Sequence, residues 1–450
     1  MKHHPPKRFN FMHRRWSALT AALASVATAI LLSAVALVVL SAPSSAQPSL
    51  AAACTYPAWS EGNAYTAGTK VSYSGRGYES LVSHTAYRGA NWNPAATPTL
   101  WRDLGACEDS QTTPPTTPTT TPPTTTPPTE GEPTCALKGK PAGKVLQGYW
   151  ENWDGASNGV HPPFGWSPIE NPIFKQHGYN VYNAAFPVIR SDGTVLWEDG
   201  MDNTVKVATP EQMCAAKEAG ATILMSIGGA TAGIDLGSRS VADRFIETIV
   251  PILKKYNFDG IDIDIETGLT GSGSPATPST SQANLIHIID GVLAAMPANF
   301  GLTMAPETAY VTGGSVTYGS IWGAYLPIIK KYADNGRLWW LNMQYYNGSM
   351  YGCSGDSYSA GTVEGFVKQT ECLNKGLVIQ GVTIKVPYDK QAPGLPAQPG
   401  AGGGYMSTSL VSQAWNSFNG QLKGLMTWSM NWDGSKNWTF GDNVKRLQGR

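Results

Sequence analysis

After about residue 144 the chain repeats one hydrophobic pattern. Short, mostly apolar runs alternate with longer stretches of helical period. The runs are Lys144–Trp153, Tyr179–Val188, Thr222–Gly229, Phe258–Glu266, Phe300–Glu307, Trp339–Asn347, Leu377–Pro387 and Gly424–Asp433. Helical stretches between them include Thr209–Ala219, Ser240–Tyr256, Ser281–Met296, Thr362–Lys375 and Ser407–Asn419. Thr209-Pro210-Glu211-Gln212 predicts a helix start with a capping box and Pro at the first helical position. Eight such β and α units predict an α/β domain, a (β/α)8 barrel of the TIM type, over residues 135–450. A doubly wound open sheet is the alternative, but no Gly-rich nucleotide fingerprint follows the first run.

The pattern changes sharply upstream. Residues 108–134 hold Thr/Pro repeats with almost no apolar side chains. Such a stretch has nothing with which to build a core, and its prolines favour extended backbone. It predicts a spacer. Before it, residues 54–107 show short β-like runs such as Lys70–Tyr73 and Tyr78–Val82, separated by Gly-containing turns. This predicts a small all-β domain. Residues 1–46 read as an export signal: basic residues, an apolar run from Trp16 to Leu40, then Ala-Pro-Ser-Ser-Ala46. The run is long enough to span a bilayer, so an uncleaved anchor is the alternative.

Export bears on the six cysteines, which are expected to be oxidised. Cys54 and Cys107 bracket the small domain, and Cys353 and Cys372 lie close in sequence. That leaves Cys135 with Cys214 by elimination alone, because sequence does not choose among the pairings. Composition narrows the ligand. Lys+Arg and Asp+Glu are 32 each, so there is no basic footprint for nucleic acid. Fifteen Trp and nineteen Tyr without surplus charge suit a neutral carbohydrate, whose C–H faces stack on aromatic rings.

The chemistry concentrates in Phe258-Asp259-Gly260-Ile261-Asp262-Ile263-Asp264-Ile265-Glu266. Strand alternation puts Asp262, Asp264 and Glu266 on one face and three isoleucines on the other. The isoleucines suit the layer between strand and helices, so the acids point into the barrel. Like charges this close cannot all ionise freely, and at least one pKa should rise. A metal site is a rival, but no His accompanies the acids. Glu266 ends the run, at the strand end where barrel active sites sit. It is the natural general acid. An ordinary retaining glycosidase needs a second carboxylate as nucleophile. Glu307, in Met304-Ala305-Pro306-Glu307, is the other strand-end acid that stands out.

Asp259-Gly260-x-Asp262-x-Asp264-x-Glu266 resembles the DxxDxDxE signature of glycoside hydrolase family 18. Ser226-Ile227-Gly228-Gly229 is similar to the family's third-strand SxGG motif, Gln344-Tyr345-Tyr346-Asn347 to its sixth-strand motif, and Trp428 to its final-strand Trp. The resemblance implies a secreted chitinase that cuts β-1,4-N-acetylglucosamine linkages with retention. The substrate's own acetamide serves as nucleophile, and an oxazolinium intermediate forms. It further implies that Glu266 is the acid and then the base, that Asp264 orients the acetamide and that Asp262 shares a proton with Asp264. Tyr346 would donate to the acetamide oxygen, Gln344 would reach the pocket, and Trp428 would floor the sugar site. Tyr149 and Ser226 would support Asp262, or be polar core residues satisfied locally; Tyr345 should pack away from the site. Asn347 stands where many relatives carry Asp.

Residues 54–107 resemble carbohydrate-binding families 5 and 12, through Trp59, Ala64-Tyr65, Val71-x-Tyr73, Tyr78, His84-Thr85-Ala86 and Trp92-Asn93-Pro94. Trp92 and Tyr87 are the candidate sugar platforms, and Trp59, Tyr78 and Trp101 the candidate core. The expected partners are chitin and N-acetylglucosamine oligomers. No nucleic acid, cofactor, metal or, after signal cleavage, membrane is expected, and the chain should be a monomer. Closely spaced final strands leave no room for an inserted subdomain, which suggests an open cleft and endo cutting. An endo-β-N-acetylglucosaminidase acting on N-glycans and a non-catalytic lectin are the competing readings.

Overall fold

The computed structural model describes residues 56–60, 63–82, 84–86, 93–95, 97, 100–107, 134–153, 164, 166–202, 205–230 and 233–450. Two compact units divide the chain between Pro123 and Thr124. In the first, Lys70–Tyr73, Arg76–Ser80 and Trp101–Ala106 form an antiparallel sheet, and Ala64–Tyr65 pairs with His84–Thr85. Tyr65, Val71, Tyr78, Ala86 and Trp101 make its core, with Trp59 packed partly buried against it. Cys107 is disulfide-bonded. Cys54, Tyr87 and Trp92 lie outside the described residues, as does the side chain of His84.

In the second unit eight parallel strands form one continuous sheet. They are β1 (Val145–Glu151), β2 (Val181–Ala185), β3 (Thr222–Gly229), β4 (Gly260–Ile265), β5 (Gly301–Met304), β6 (Trp340–Leu341), β7 (Gly394–Pro396) and β8 (Gly424–Trp428). β8 pairs with β1, and parallel bridges Leu341–Gln391 and Gln344–Gly394 join β6 to β7. The ring is thereby closed into a barrel. Helices α1 (Pro172–Gln176), α2 (Pro210–Glu218), α3 (Arg239–Lys255), α4 (Thr280–Ala295), α5 (Leu326–Asp334), α6 (Val363–Lys375) and α7 (Thr408–Asn416) follow the strands in turn. α8 (Met430–Gly434) and α9 (Thr439–Leu447) follow β8.

The expected strand at Leu377–Pro387 is not a barrel strand. It is an antiparallel hairpin, Leu377–Ile379 with Val382–Ile384. Gln380 and Gly381, with φ of 48° and 81°, form its two-residue turn. Positive φ at both central positions matches the turn that suits hairpin twist. The true seventh strand is three residues long and flanked by proline, which hides it from a reading based on apolar runs.

Alternation sorts the barrel residues. Ile261, Ile263 and Ile265 of β4 are buried against the helices, where α3 presents Ala242, Phe245, Ile249 and Leu253. The spacing of three and four residues gives α3 one apolar face. Both expected features of α2 are present: Pro210 opens the helix, and the capping box is complete, with the Gln212 side chain accepting the Thr209 N–H at 3.0 Å. Val145, Val181, Leu224, Trp339, Trp340 and Ala392 form a small apolar cluster at the other end of the strands. Cys135–Cys214 and Cys353–Cys372 are bonded.

Asp259, at the entry to β4, is fully buried and paired with Lys217 of α2 at 2.7 Å. It also accepts the backbone N–H groups of Lys138 at 2.6 Å and Ile223 at 2.9 Å. One carboxylate therefore ties the chain before β1 to α2, β3 and β4. Lys217→Met strands that charge, and should lower unfolding free energy by about 3–5 kcal/mol in urea titration. A loss under about 1 kcal/mol would mean that the two N–H donors suffice.

Candidate active site

Four strands converge on Asp262, which has no exposed surface. Its Oδ2 accepts the Tyr149 hydroxyl from β1 and the Ser226 hydroxyl from β3, each at 2.9 Å. Its Oδ1 accepts the Thr303 hydroxyl from β5 at 2.5 Å and the Asn342 amide, just past β6, at 3.3 Å. Burial raises the Asp262 pKa, and the four donors oppose that rise. Tyr149 and Ser226 thus sit beneath the site and do not border its cavity.

Asp264 is the next step outward and is 3% exposed. Burial, then the charges of Glu266 and Asp262, push its pKa well above the usual carboxylate range. Glu266 is less enclosed, and burial raises its pKa too. The Gln344 amide spans the pair, with Nε2 2.9 Å from Asp264 Oδ1 and 3.0 Å from Glu266 Oε1. The same nitrogen is 3.0 Å from the Ala305 carbonyl. Three acceptors surround two amide hydrogens, so one contact is always unmade. The three carboxyls therefore form a gradient from a fully bonded interior to a cavity mouth.

The backbone of the third-strand motif explains its glycines. Gly228 has φ of 111°, and a Cβ there would lie 2.2 Å from the Asp264 carbonyl oxygen. Gly229 has φ of 82°, and a Cβ would meet the Phe186 ring at 2.8 Å. These positions let β3 lie close against the acidic strand and an aromatic wall.

The cavity over the acids has a volume of about 590 Å³. Glu266, Asp264, Gln344, Tyr346, Asn347 and Trp428 all border it. Burial, then the charges of Asp264 and Glu266, holds the Tyr346 phenol well above the usual tyrosine range, so it remains a donor. Trp428 shares one wall with Trp153 and Phe186, their ring centroids 5.9–6.1 Å apart and their planes within 27°. Three near-equal separations exclude a simple column of rings, in which the outer pair would be far apart. Asn347 has φ of 60°, and its Oδ1 accepts the Gly403 N–H at 2.7 Å. Tyr345 faces away, buried, with its hydroxyl on Thr370 at 2.9 Å.

Reading the sequence missed Trp153, Phe186, Thr303 and Asn342. Phe186 directly follows the end of β2 and Trp153 lies two residues past the end of β1, and that position was the available signal. Glu307 was noted but given no place. In the β4–β5 register Asp262 pairs with Thr303. Ala305 N–H then bonds the Ile263 carbonyl at 2.9 Å. Continued, the register sets Ala305 beside Asp264 and Glu307 beside Glu266. Among the described residues no group of His, Cys, Asp and Glu is arranged to hold a metal ion.

The arrangement can deliver a proton from a carboxyl of raised pKa to a ligand seated against aromatic rings, and take one back. A barrel with this site defines a glycosidase, and comparison with known proteins agrees. The model of glycosyl hydrolases family 18 matches residues 145–347, and that of carbohydrate-binding module family 5/12 matches residues 58–102. Endochitinase 4 of Metarhizium robertsii is 81% identical over 312 residues, 69% of this chain and 90% of that protein. Endochitinase 37 of Trichoderma harzianum is 82% identical over 310 residues, 69% of this chain and 92% of that protein. The crystal structure of a family 18 chitinase from Chromobacterium violaceum superposes with a TM-score of 0.59 at 29% identity, covering 88% of this chain and all of that one. The chain belongs to glycosyl hydrolase family 18.

The raised Asp264 pKa has a consequence for stability. Folding disfavours its ionised form, so the cost is absent where both folded and unfolded chains carry the proton. It grows as pH rises through the unfolded value, about 3.9, toward the folded one. Asp264→Asn removes it. Calorimetry should show Tm raised by about 2 °C or more at pH 7, with the gain shrinking toward about pH 4. A gain independent of pH would contradict this account.

Proposed function

We propose that the chain is a secreted chitinase that hydrolyses β-1,4-N-acetylglucosamine linkages in chitin, cutting within the polymer and retaining anomeric configuration. The observation that carries the reading is the graded acid ladder ending in Glu266 at the mouth of an aromatic-walled cavity. The sugar rests on Trp428, and Tyr346 donates to its acetamide oxygen. That oxygen bonds to the anomeric carbon as the glycosidic C–O bond breaks, and Glu266 gives its proton to the departing oxygen. Asp264 accepts the acetamide N–H and stabilises the positive charge that develops on the ring formed. Glu266, now a base, takes a proton from water. The water oxygen bonds the anomeric carbon from the leaving-group side, and the acetamide is restored. Asp262, held by its four donors, shares a proton with Asp264, so that Asp264 can carry the negative charge facing the acetamide when the positive charge develops.

Export rests on the N-terminal pattern. Among the described residues no helix is long and apolar enough to cross a membrane. The family 5/12 module would hold the enzyme on an insoluble polymer and raise the local substrate concentration.

The first test follows hydrolysis of N-acetylglucosamine hexamer by NMR. Wild type should release fresh β-anomer, and Glu266→Gln should lose about 10²–10⁴-fold in kcat while still binding the oligomer. Fresh α-anomer would overturn retention, and substantial turnover by the variant would overturn the assigned acid. Trp92→Ala should weaken adsorption to crystalline chitin and leave hexamer hydrolysis unchanged. Equal loss on both would contradict tethering.

A further inference from the structure

Glu307 carries no part of the mechanism above, yet the register of its strand and one backbone bridge fix its place. Thr303 pairs with Asp262, and the Ala305 N–H bonds the Ile263 carbonyl; continuing that register past the end of β5 sets Ala305 level with Asp264 and Glu307 level with Glu266. On its other side the Glu307 backbone bridges to Gln344, whose side chain bonds Glu266. Just beyond, the Tyr310 hydroxyl donates to the Glu266 carbonyl at 2.7 Å. Glu307 is thus the strand-end neighbour of the acid. It makes no capping bond to the 3-10 turn Thr308–Tyr310 that it precedes.

The ionisable groups around Glu266 share one character. Asp262 and Asp264 lie on its own strand. Tyr149 stands on β1, Tyr346 beyond β6, Tyr310 after β5, and Tyr325, whose hydroxyl bonds the Ile265 backbone, precedes α5. Asp202 borders the same cavity, and among the described residues no Lys, Arg or His does. Among the described residues lining that cavity, then, none is a cation that would cancel at Glu266 the field of a charge on Glu307.

From this placement we propose that Glu307 is a positioning residue for the proton of the general acid. Its carboxylate, level with Glu266 on the adjacent strand, disfavours ionisation of Glu266 and so keeps the acid loaded at higher pH. The proposal rests on Glu266 being the acid of a chitinase. On the Glu307 side the electrostatics agree in direction, since burial and then the charge of Glu266 raise the Glu307 pKa. At Glu266 burial is the dominant cause of the rise, and Glu307 adds to it because a coupling between two charges acts on both. Half-burial strengthens it beyond what two solvated carboxylates would feel.

The experiment compares pH profiles of kcat/KM on the hexamer for wild type, Glu307→Gln and Glu307→Lys. The basic limb marks loss of the acid's proton. Glu307→Gln should move it down by about half a pH unit or more, and Glu307→Lys further in the same direction. On the acid side of the profile kcat should stay within about threefold of wild type. High salt should shrink the shift. An unchanged basic limb in both variants overturns the proposal, because a purely structural role alters amplitude without moving the limb. If Glu307→Lys folds poorly, Glu307→Gln and the carboxyl titration of Glu266 followed by NMR decide the matter alone. Failure of wild type to cleave the hexamer would instead remove the chitinase reading, and so is distinguishable.

Discussion

A carboxylate sealed inside a barrel is costly unless the barrel itself supplies its solvation. Asp262 receives donors from Tyr149, Ser226, Thr303 and Asn342, on or just beyond four strands. Hydrogen bonds to a charged group contribute about 1.5–3 kcal/mol each, enough together to offset a burial cost of several kcal/mol. The bargain works only if β1, β3, β5 and β6 hold their register about β4. A slip by one residue would point the isoleucines inward and the acids at the helices. Strand register and chemistry therefore meet at one side chain.

The next two carboxyls follow from the first. With four donors on Asp262 opposing the rise that burial imposes on its pKa, a proton shared by the two aspartates is drawn toward Asp264 until the substrate's positive charge develops. Glu266, nearer solvent and sharing Gln344, has environments that favour either state. The incomplete hydrogen bonding of Gln344 matters here. Nε2 meets two carboxyls and the Ala305 carbonyl with only two hydrogens. No protonation state is locked by a complete set of bonds, and the alternation between acid and base proposed for Glu266 needs that freedom. The same logic demands a dry floor. Trp428, Trp153 and Phe186 exclude water from one wall and thereby strengthen the fields that the acids exert.

Much of this was legible in the sequence because period and chemistry coincided. The Asp-Ile alternation of β4 gave strand, inward face and acid order at once, and the apolar spacing of α3 gave its buried face. The seventh strand was illegible for a physical reason. Its three residues, Gly394–Pro396, follow Pro393 and end in a proline, and their place is secured by bridges to β6 and ladder bonds to β8 rather than by apolar content. The Leu377–Ile384 hairpin looked more like a strand because it is more apolar. The aromatic wall joins Trp153, Phe186 and Trp428, which are far apart in sequence and converge only when the barrel closes. Gly228 and Gly229 were recognisable as a motif, but their cause, contact with Asp264 and Phe186, exists only in three dimensions.

Asn347 shows how charge limits the site. The family resemblance leads one to expect an acid there. The structure gives the side chain a backbone task instead: its Oδ1 receives the Gly403 N–H, and its own N–H reaches the Gly403 carbonyl at 2.9 Å. Asn also tolerates the left-handed backbone at φ of 60° better than most residues. Asp would accept the same bond, so the latch alone does not select the amide. Charge supplies a further reason. Asp202, Asp264 and Glu266 already border the cavity, with Glu307 beside them and no basic side chain among the described lining residues. A further carboxylate would raise the proton affinity of its neighbours again, and would hold Glu266 as an acid when the second half of the proposed reaction calls on it as a base. A neutral residue at this position keeps the latch without that burden.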